Sequence, residues 1–115
     1  MSKLTIYHNP RCSKSREVLA MIHEKGAEVK IIDYLKNPPS YDQLKDLLVK
    51  LNMKPQEIIR KGEALYKQKF KDKKFGPEEW IKIMTENPVL IERPIVVRGN
   101  RAVVGRPVEN VMELI

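Results

Sequence analysis

His8-Asn9-Pro10-Arg11-Cys12-Ser13-Lys14-Ser15-Arg16 is the stretch that decides the fold of this 115-residue chain. Before it, Leu4 and Ile6 alternate with Thr5 and Tyr7, the period-two pattern of a half-buried strand. After it, Val18, Leu19 and Ile22 recur at helical spacing, and Pro10 interrupts regular structure between the two elements. Cys12, the single cysteine, is therefore expected within one turn of a helix N-terminus. Unpaired backbone N–H groups and the positive end of the helix dipole favour a thiolate or a bound anion there. Arg11, Lys14 and Arg16 add cations, and His8 at the strand's end is placed to orient the sulfur or share its proton. An isolated cysteine is more often a small core hydrophobe. A proline-broken loop crowded with cations is a poor core position, so Cys12 reads as a reactive thiol.

Outward from this stretch, the first helix should stop at Lys25-Gly26, with Gly26 as its cap. Val29, Ile31 and Ile32 then predict a strand buried on both faces, completing a βαβ unit with parallel strands. Asn37-Pro38-Pro39 halts regular structure, and Ser40 with Gln43 forms a capping box ahead of Leu44, Leu47, Leu48 and Leu51. Pro55 opens a short segment carrying Ile58 and Ile59. The lysine-rich run from Lys67 to Lys74 reads as a solvated surface. Gly76-Pro77-Glu78-Glu79 starts another helix, whose Trp80, Ile83 and Met84 belong to a core. Two β-branched runs follow, Pro94 to Val97 and Ala102 to Val104, with Gly99-Asn100 between them as a type II′ hairpin turn. Pro107 is expected to open a last helix with Val108, Val111, Met112 and Ile115 on one face.

Lys and Arg exceed Asp and Glu by 22 to 15, a net charge of +7, which suits small anions or an acidic partner. No nucleic-acid-binding motif is present and aromatic platforms are scarce, so nucleic acid is not an expected partner. No apolar run approaches the ~20 residues of a bilayer span, and no membrane partner or signal peptide is expected. One cysteine excludes an internal disulfide and argues against a cysteine-built metal site. A cytoplasmic, reducing location fits that usage.

A βαβ unit followed by ββα, with a cysteine opening the first helix, resembles the thioredoxin fold. The expectation is an α/β domain over residues 1–115 with a mixed sheet and a helical insertion at about 40–87 between the two halves. In that fold a cis-proline faces the active-site cysteine, and Pro94 stands at its place; X–Pro bonds reach the cis form at a cost of only about 0.5–1 kcal/mol. The resemblance sharpens across Tyr7-His8-Asn9-Pro10-x-Cys12-x-x-Ser15-Arg16, Asn37-Pro38-Pro39-Ser40, Arg60-Lys61, Arg93-Pro94-Ile95-Val96-Val97 and Gly105-Arg106-Pro107. These motifs resemble the glutaredoxin-linked arsenate reductase family.

The resemblance implies Cys12 as nucleophile, with His8 beside it, and Arg60, Arg93 and Arg106 as ligands of a tetrahedral oxyanion. Guanidinium forks suit such anions and stay charged. Ser15 and Pro94 would support the site, with no metal and no bound cofactor. Glutathione would be the co-substrate and glutaredoxin the protein partner, and a chain with one cysteine does need an outside thiol. One departure stands beside the nucleophile: the family's reductases carry Gly-Thr where this chain has Ser13-Lys14. The fold also resembles Spx-type redox-responsive regulators that bind RNA polymerase, which often carry a second cysteine where Ser15 stands. A glutathione-dependent thiol-disulfide reductase is a further alternative, needing Cys12 and Pro94 but not the arginines.

Overall fold

The computed structural model describes residues 3–115. The chain forms two compact units, one from the segment up to Asn37 joined by Arg93–Ile115, the other Pro38–Glu92. The insertion expected at about 40–87 lies within the second.

In the first unit β1 (Leu4–His8) is followed by helix α1 (Ser13–Glu24) and β2 (Val29–Asp33). β3 (Ile95–Arg98) and β4 (Arg101–Val104) complete a sheet of order β2-β1-β3-β4. β1 pairs in parallel with β2 and antiparallel with β3, so the sheet is mixed. Parallel pairing forces a crossover, which α1 supplies, whereas β3 and β4 need only the Gly99-Asn100 turn. Gly99 takes φ +60° and is the residue that makes this two-residue turn accessible. Leu4 and Ile6, on one face of β1, form the buried core with Val18, Ile22, Val96, Val111 and Leu114. The topology is thioredoxin-like, and the Arg93–Pro94 bond is cis.

Two expectations for this unit need correction. β2 is an edge strand with β1 as its neighbour, and Ile31 is 48% exposed, so the strand is not buried on both faces. The segment after Pro107 is a 3₁₀ helix, Val108–Glu113, and the Arg106–Pro107 bond is also cis. The spacing admits the 3₁₀ form. Val108, Val111 and Leu114 recur every third residue, which lines up at three residues per turn. Val111 and Leu114 are buried, while Met112 and Ile115 face solvent. The amide of Asn110 donates to the Val104 and Arg106 carbonyls and ties this turn to the end of β4.

In the second unit α2 (Tyr41–Leu51) has both halves of its capping box: Gln43 N–H donates to Ser40 Oγ, and Ser40 N–H to Gln43 Oε1. It buries Leu44, Leu47 and Leu48 and packs on α3 (Pro77–Glu86). Trp80 is core, as expected, with Phe75 edge-on to it at 5.0 Å and Phe70 at 6.3 Å. Ile81 rather than Ile83 shares the buried stripe with Trp80 and Met84. Residues Pro55–Ile58 form a 3₁₀ turn, and Tyr66–Phe70, which showed no helical pattern, forms a single π-helical turn. Ile59 bridges Ile91 antiparallel, Arg60 N–H donates to Leu90 O at 2.8 Å, and Glu92 N–H donates to Ile58 O at 2.7 Å. Among the described residues no helix is long and apolar enough to cross a membrane.

Gly105 decides how β4 ends. A Cβ there would lie 2.9 Å from Pro94 Cγ and 2.9 Å from Val18 Cγ2, closer than real contacts allow. The missing side chain lets Gly105 N–H reach Pro94 O at 2.8 Å. Gly105→Ala should therefore destabilise the protein by about 1–3 kcal/mol, the usual cost of overpacking. Urea denaturation measures it, and an unchanged midpoint would contradict the contact.

Candidate active site

The first unit gathers its chemistry at the carboxyl end of β1. The turn leading out of β1 is pinned by local hydrogen bonds. Cys12 N–H donates to Asn9 O at 3.0 Å, and Arg11 N–H donates to Asn9 Oδ1 at 3.0 Å. Asn9 N–H donates in turn to Ser15 Oγ at 3.1 Å. Cys12 is the N-cap residue of α1, with extended backbone (φ −93°, ψ 122°), and Arg16 N–H donates to its carbonyl. The cysteine thus stands at the positive end of α1 as the sequence predicts. It is nevertheless 8% exposed, enclosed rather than displayed.

His8 does not address the sulfur by the bond it makes here: His8 Nδ1 lies 2.6 Å from Ser15 Oγ. Burial lowers the His8 pKa below its ordinary 6.5; the Asp33 carboxylate pulls the other way, and the Arg16 charge adds to the lowering. The imidazole is therefore neutral at pH 7. Ser15 Oγ accepts from Asn9 N–H as well as bonding His8 Nδ1, so one hydroxyl ties the imidazole to the turn. Ser15 is completely buried and holds both the ring and the turn, a larger role than its spacing suggests.

A depressed histidine pKa has a stability consequence with a definite sign. The unfolded chain takes up the proton first as pH falls past about 6.5, so stability declines from there and the loss is complete below the folded-state value. Urea midpoints at pH 7.5 and 5.5 should differ, and His8→Gln should shrink that difference. An equal drop in the variant would show that other groups cause it.

Arg106 joins Cys12, held there by the backbone carbonyl of Arg93. Arg106 Nε donates to Arg93 O at 2.7 Å, and Arg106 Nη2 donates to Cys12 Sγ at 3.3 Å. Ninety-four positions separate Arg106 from Cys12, and Gly105 packed on Pro94 delivers it. Lys14, which the sequence placed beside the sulfur, lies 3.5 Å from Glu17 along the exposed face of α1. Arg60 belongs to the second unit. Its Nη1 is 2.8 Å from Glu63 Oε2 and its Nε 3.5 Å from Glu92 Oε1. Glu63 stands at local i,i+3 spacing from Arg60, whereas the Glu92 pairing has no sequence signal because it depends on the bridge between Ile59 and Ile91. Among the described residues no group of three His, Cys, Asp or Glu side chains is placed to hold a metal ion.

The solved structure of the arsenate reductase from Vibrio cholerae superposes on this fold with a TM-score of 0.94 at 40% identity, covering 99% of this chain and 98% of its own. The model of the ArsC family matches residues 7–114. The chain belongs to the ArsC family. Other relatives of this ArsC-family chain span nearly its full length. The uncharacterized protein YfgD of Escherichia coli (strain K12) is 44% identical, covering 98% of this chain and 97% of its own. The arsenate reductase of Neisseria meningitidis serogroup A is 37% identical over 96% of this chain and 97% of its own.

Proposed function

We propose that this ArsC-family protein is a monothiol reductase that converts arsenate to arsenite. The observation that carries the proposal is the pair of bonds made by Arg106. Its Nε is fixed on the Arg93 carbonyl and its Nη2 rests on the Cys12 sulfur, so a guanidinium is already docked on the nucleophile. A donor there is placed to stabilise an oxyanion arriving next to the sulfur. Arg93 is assigned the same anion-binding role beside it, and Arg60 carries that role by the family's pattern.

The chemistry follows in three steps. Cys12 thiolate attacks As(V), forming an S–As bond while water leaves. The glutathione thiol then displaces a hydroxyl from the same arsenic, forming a second S–As bond as a second water leaves. Glutaredoxin thiolate attacks the glutathione sulfur, and the S–As electron pair stays on arsenic, which falls from As(V) to As(III). Two thiols outside this chain are oxidised to one mixed disulfide, arsenite departs by hydrolysis, and Cys12 returns as a thiol. A chain with a single cysteine has no internal thiol for the second step.

The test is NADPH consumption in a mixture of glutathione, glutaredoxin and glutathione reductase. Consumption should depend on arsenate and saturate with it. No arsenate-dependent rate, together with reduction of a glutathionylated peptide, would replace this function with thiol-disulfide exchange.

A further inference from the structure

Arg60 has one bond partner too many for a ready anion ligand. An arginine offers a tetrahedral oxyanion two forks, Nε with Nη2 and Nη1 with Nη2. Glu63 sits on Nη1 at 2.8 Å and Glu92 faces Nε at 3.5 Å, so each fork already has a carboxylate on one of its nitrogens. All three side chains are half-buried, between 22% and 29% exposed, where such pairings are screened less than on an open surface. An oxyanion that takes either fork in two-pronged fashion must displace one acid.

The surrounding backbone says which. Glu63 is bound to Arg60 twice, since its own N–H donates to Arg60 O at 3.1 Å in the turn that also closes the ion pair. Glu92 is placed against Nε across the short antiparallel bridge, where Arg60 N–H donates to Leu90 O and Glu92 N–H to Ile58 O. Those bonds hold both backbones in place, so the exchange involves side chains alone. The longer contact is the one to yield.

We propose that Glu92 is an internal anion that faces Nε of Arg60 and gives way to the oxyanion at the Nε/Nη2 fork, while Glu63 stays on Nη1 and positions the guanidinium. The inference rests on the reading of Arg60 as an oxyanion ligand. It makes Glu92 a determinant of specificity, because an anion enters only when it binds the fork better than a carboxylate already there. A tetrahedral dianion has the charge and the spacing of oxygens to do so; a singly charged planar anion competes on equal terms at best.

The experiment is calorimetric titration of the full-length protein with sulfate, an unreactive tetrahedral dianion, and with nitrate. Glu92→Gln should tighten sulfate binding about fivefold, the upper size of an exposed ion pair, and should raise nitrate binding from undetectable to measurable. Glu63→Gln should instead weaken sulfate, since it loosens the guanidinium. Opposite signs are the mark of the exchange, and a merely structural role for both acids would weaken both. Sulfate binding that is unchanged or weaker in Glu92→Gln overturns the proposal. Arg60→Ala separates the two levels: if it leaves sulfate affinity unchanged, Arg60 is no anion ligand, and both the reading and this inference fall. If Arg60→Ala weakens sulfate while Glu92→Gln does not tighten it, the inference alone falls.

Discussion

Cys12→Ser should reduce arsenate turnover to the background rate while leaving the fold and sulfate binding intact. A serine hydroxyl is a far weaker nucleophile than a thiolate at neutral pH, and the S–As bond of the proposed adduct has no counterpart that glutathione can resolve. Structure is expected to survive because the N-cap position of α1 tolerates serine, a favoured residue there. Its backbone bonds to Asn9 and Arg16 involve no side-chain atom. Circular dichroism and sulfate calorimetry check the fold and the anion site, and coupled NADPH oxidation checks the chemistry. Turnover that persists in the serine variant would remove Cys12 from the mechanism. No second thiol is present to take its place.

Arg106→Ala should lower kcat/KM for arsenate about tenfold or more, because a hydrogen bond from guanidinium to a charged group contributes roughly 1.5–3 kcal/mol. Arg106→Lys should recover little. Arg106 uses two nitrogens of one plane at once, Nε on the Arg93 carbonyl at 2.7 Å and Nη2 on the sulfur at 3.3 Å. An ammonium is a single point and cannot hold both partners in that geometry. Since Arg106 is exposed, both variants should fold. Steady-state kinetics on the two variants, with the rate of Cys12 alkylation by iodoacetamide at pH 7, separates loss of the anion ligand from loss of the donor on sulfur. Full turnover in Arg106→Ala would make the arginine a surface residue and leave thiol-disulfide exchange as the function.

Several parts of this molecule were legible in the chain itself, and each is a local matter. The strand from Leu4, the proline-broken turn and the helix over Val18 and Ile22 follow from periodicities of two and 3.6 residues. Ser40 with Gln43 forms its capping box because both partners lie within one turn. Gly99 makes its turn because the needed φ is its own to adopt. Cys12 stands at the start of α1 for the same kind of reason, and Pro94 was placed through the order of motifs around it.

What only the tertiary structure decided depends on neighbours that no window of sequence contains. Ile31 and Ile32 read as doubly buried because an apolar run reports hydrophobicity, not the number of strands beside it; β2 lies at the edge of the sheet. The spacing of Val108, Val111 and Leu114 suits three residues per turn as well as 3.6, and the tie from Asn110 to Val104 and Arg106 accompanies the tighter form. His8 turned to Ser15, and Lys14 to Glu17, because each chose the nearest complementary group in the folded turn. The chain alone determined where its α-helices and strands lie and that Cys12 opens α1. Folding decided that Arg106 rests on Cys12 and that Arg60 is already held by Glu63 and Glu92, since charge pairing depends on distance through space and not on separation along the chain.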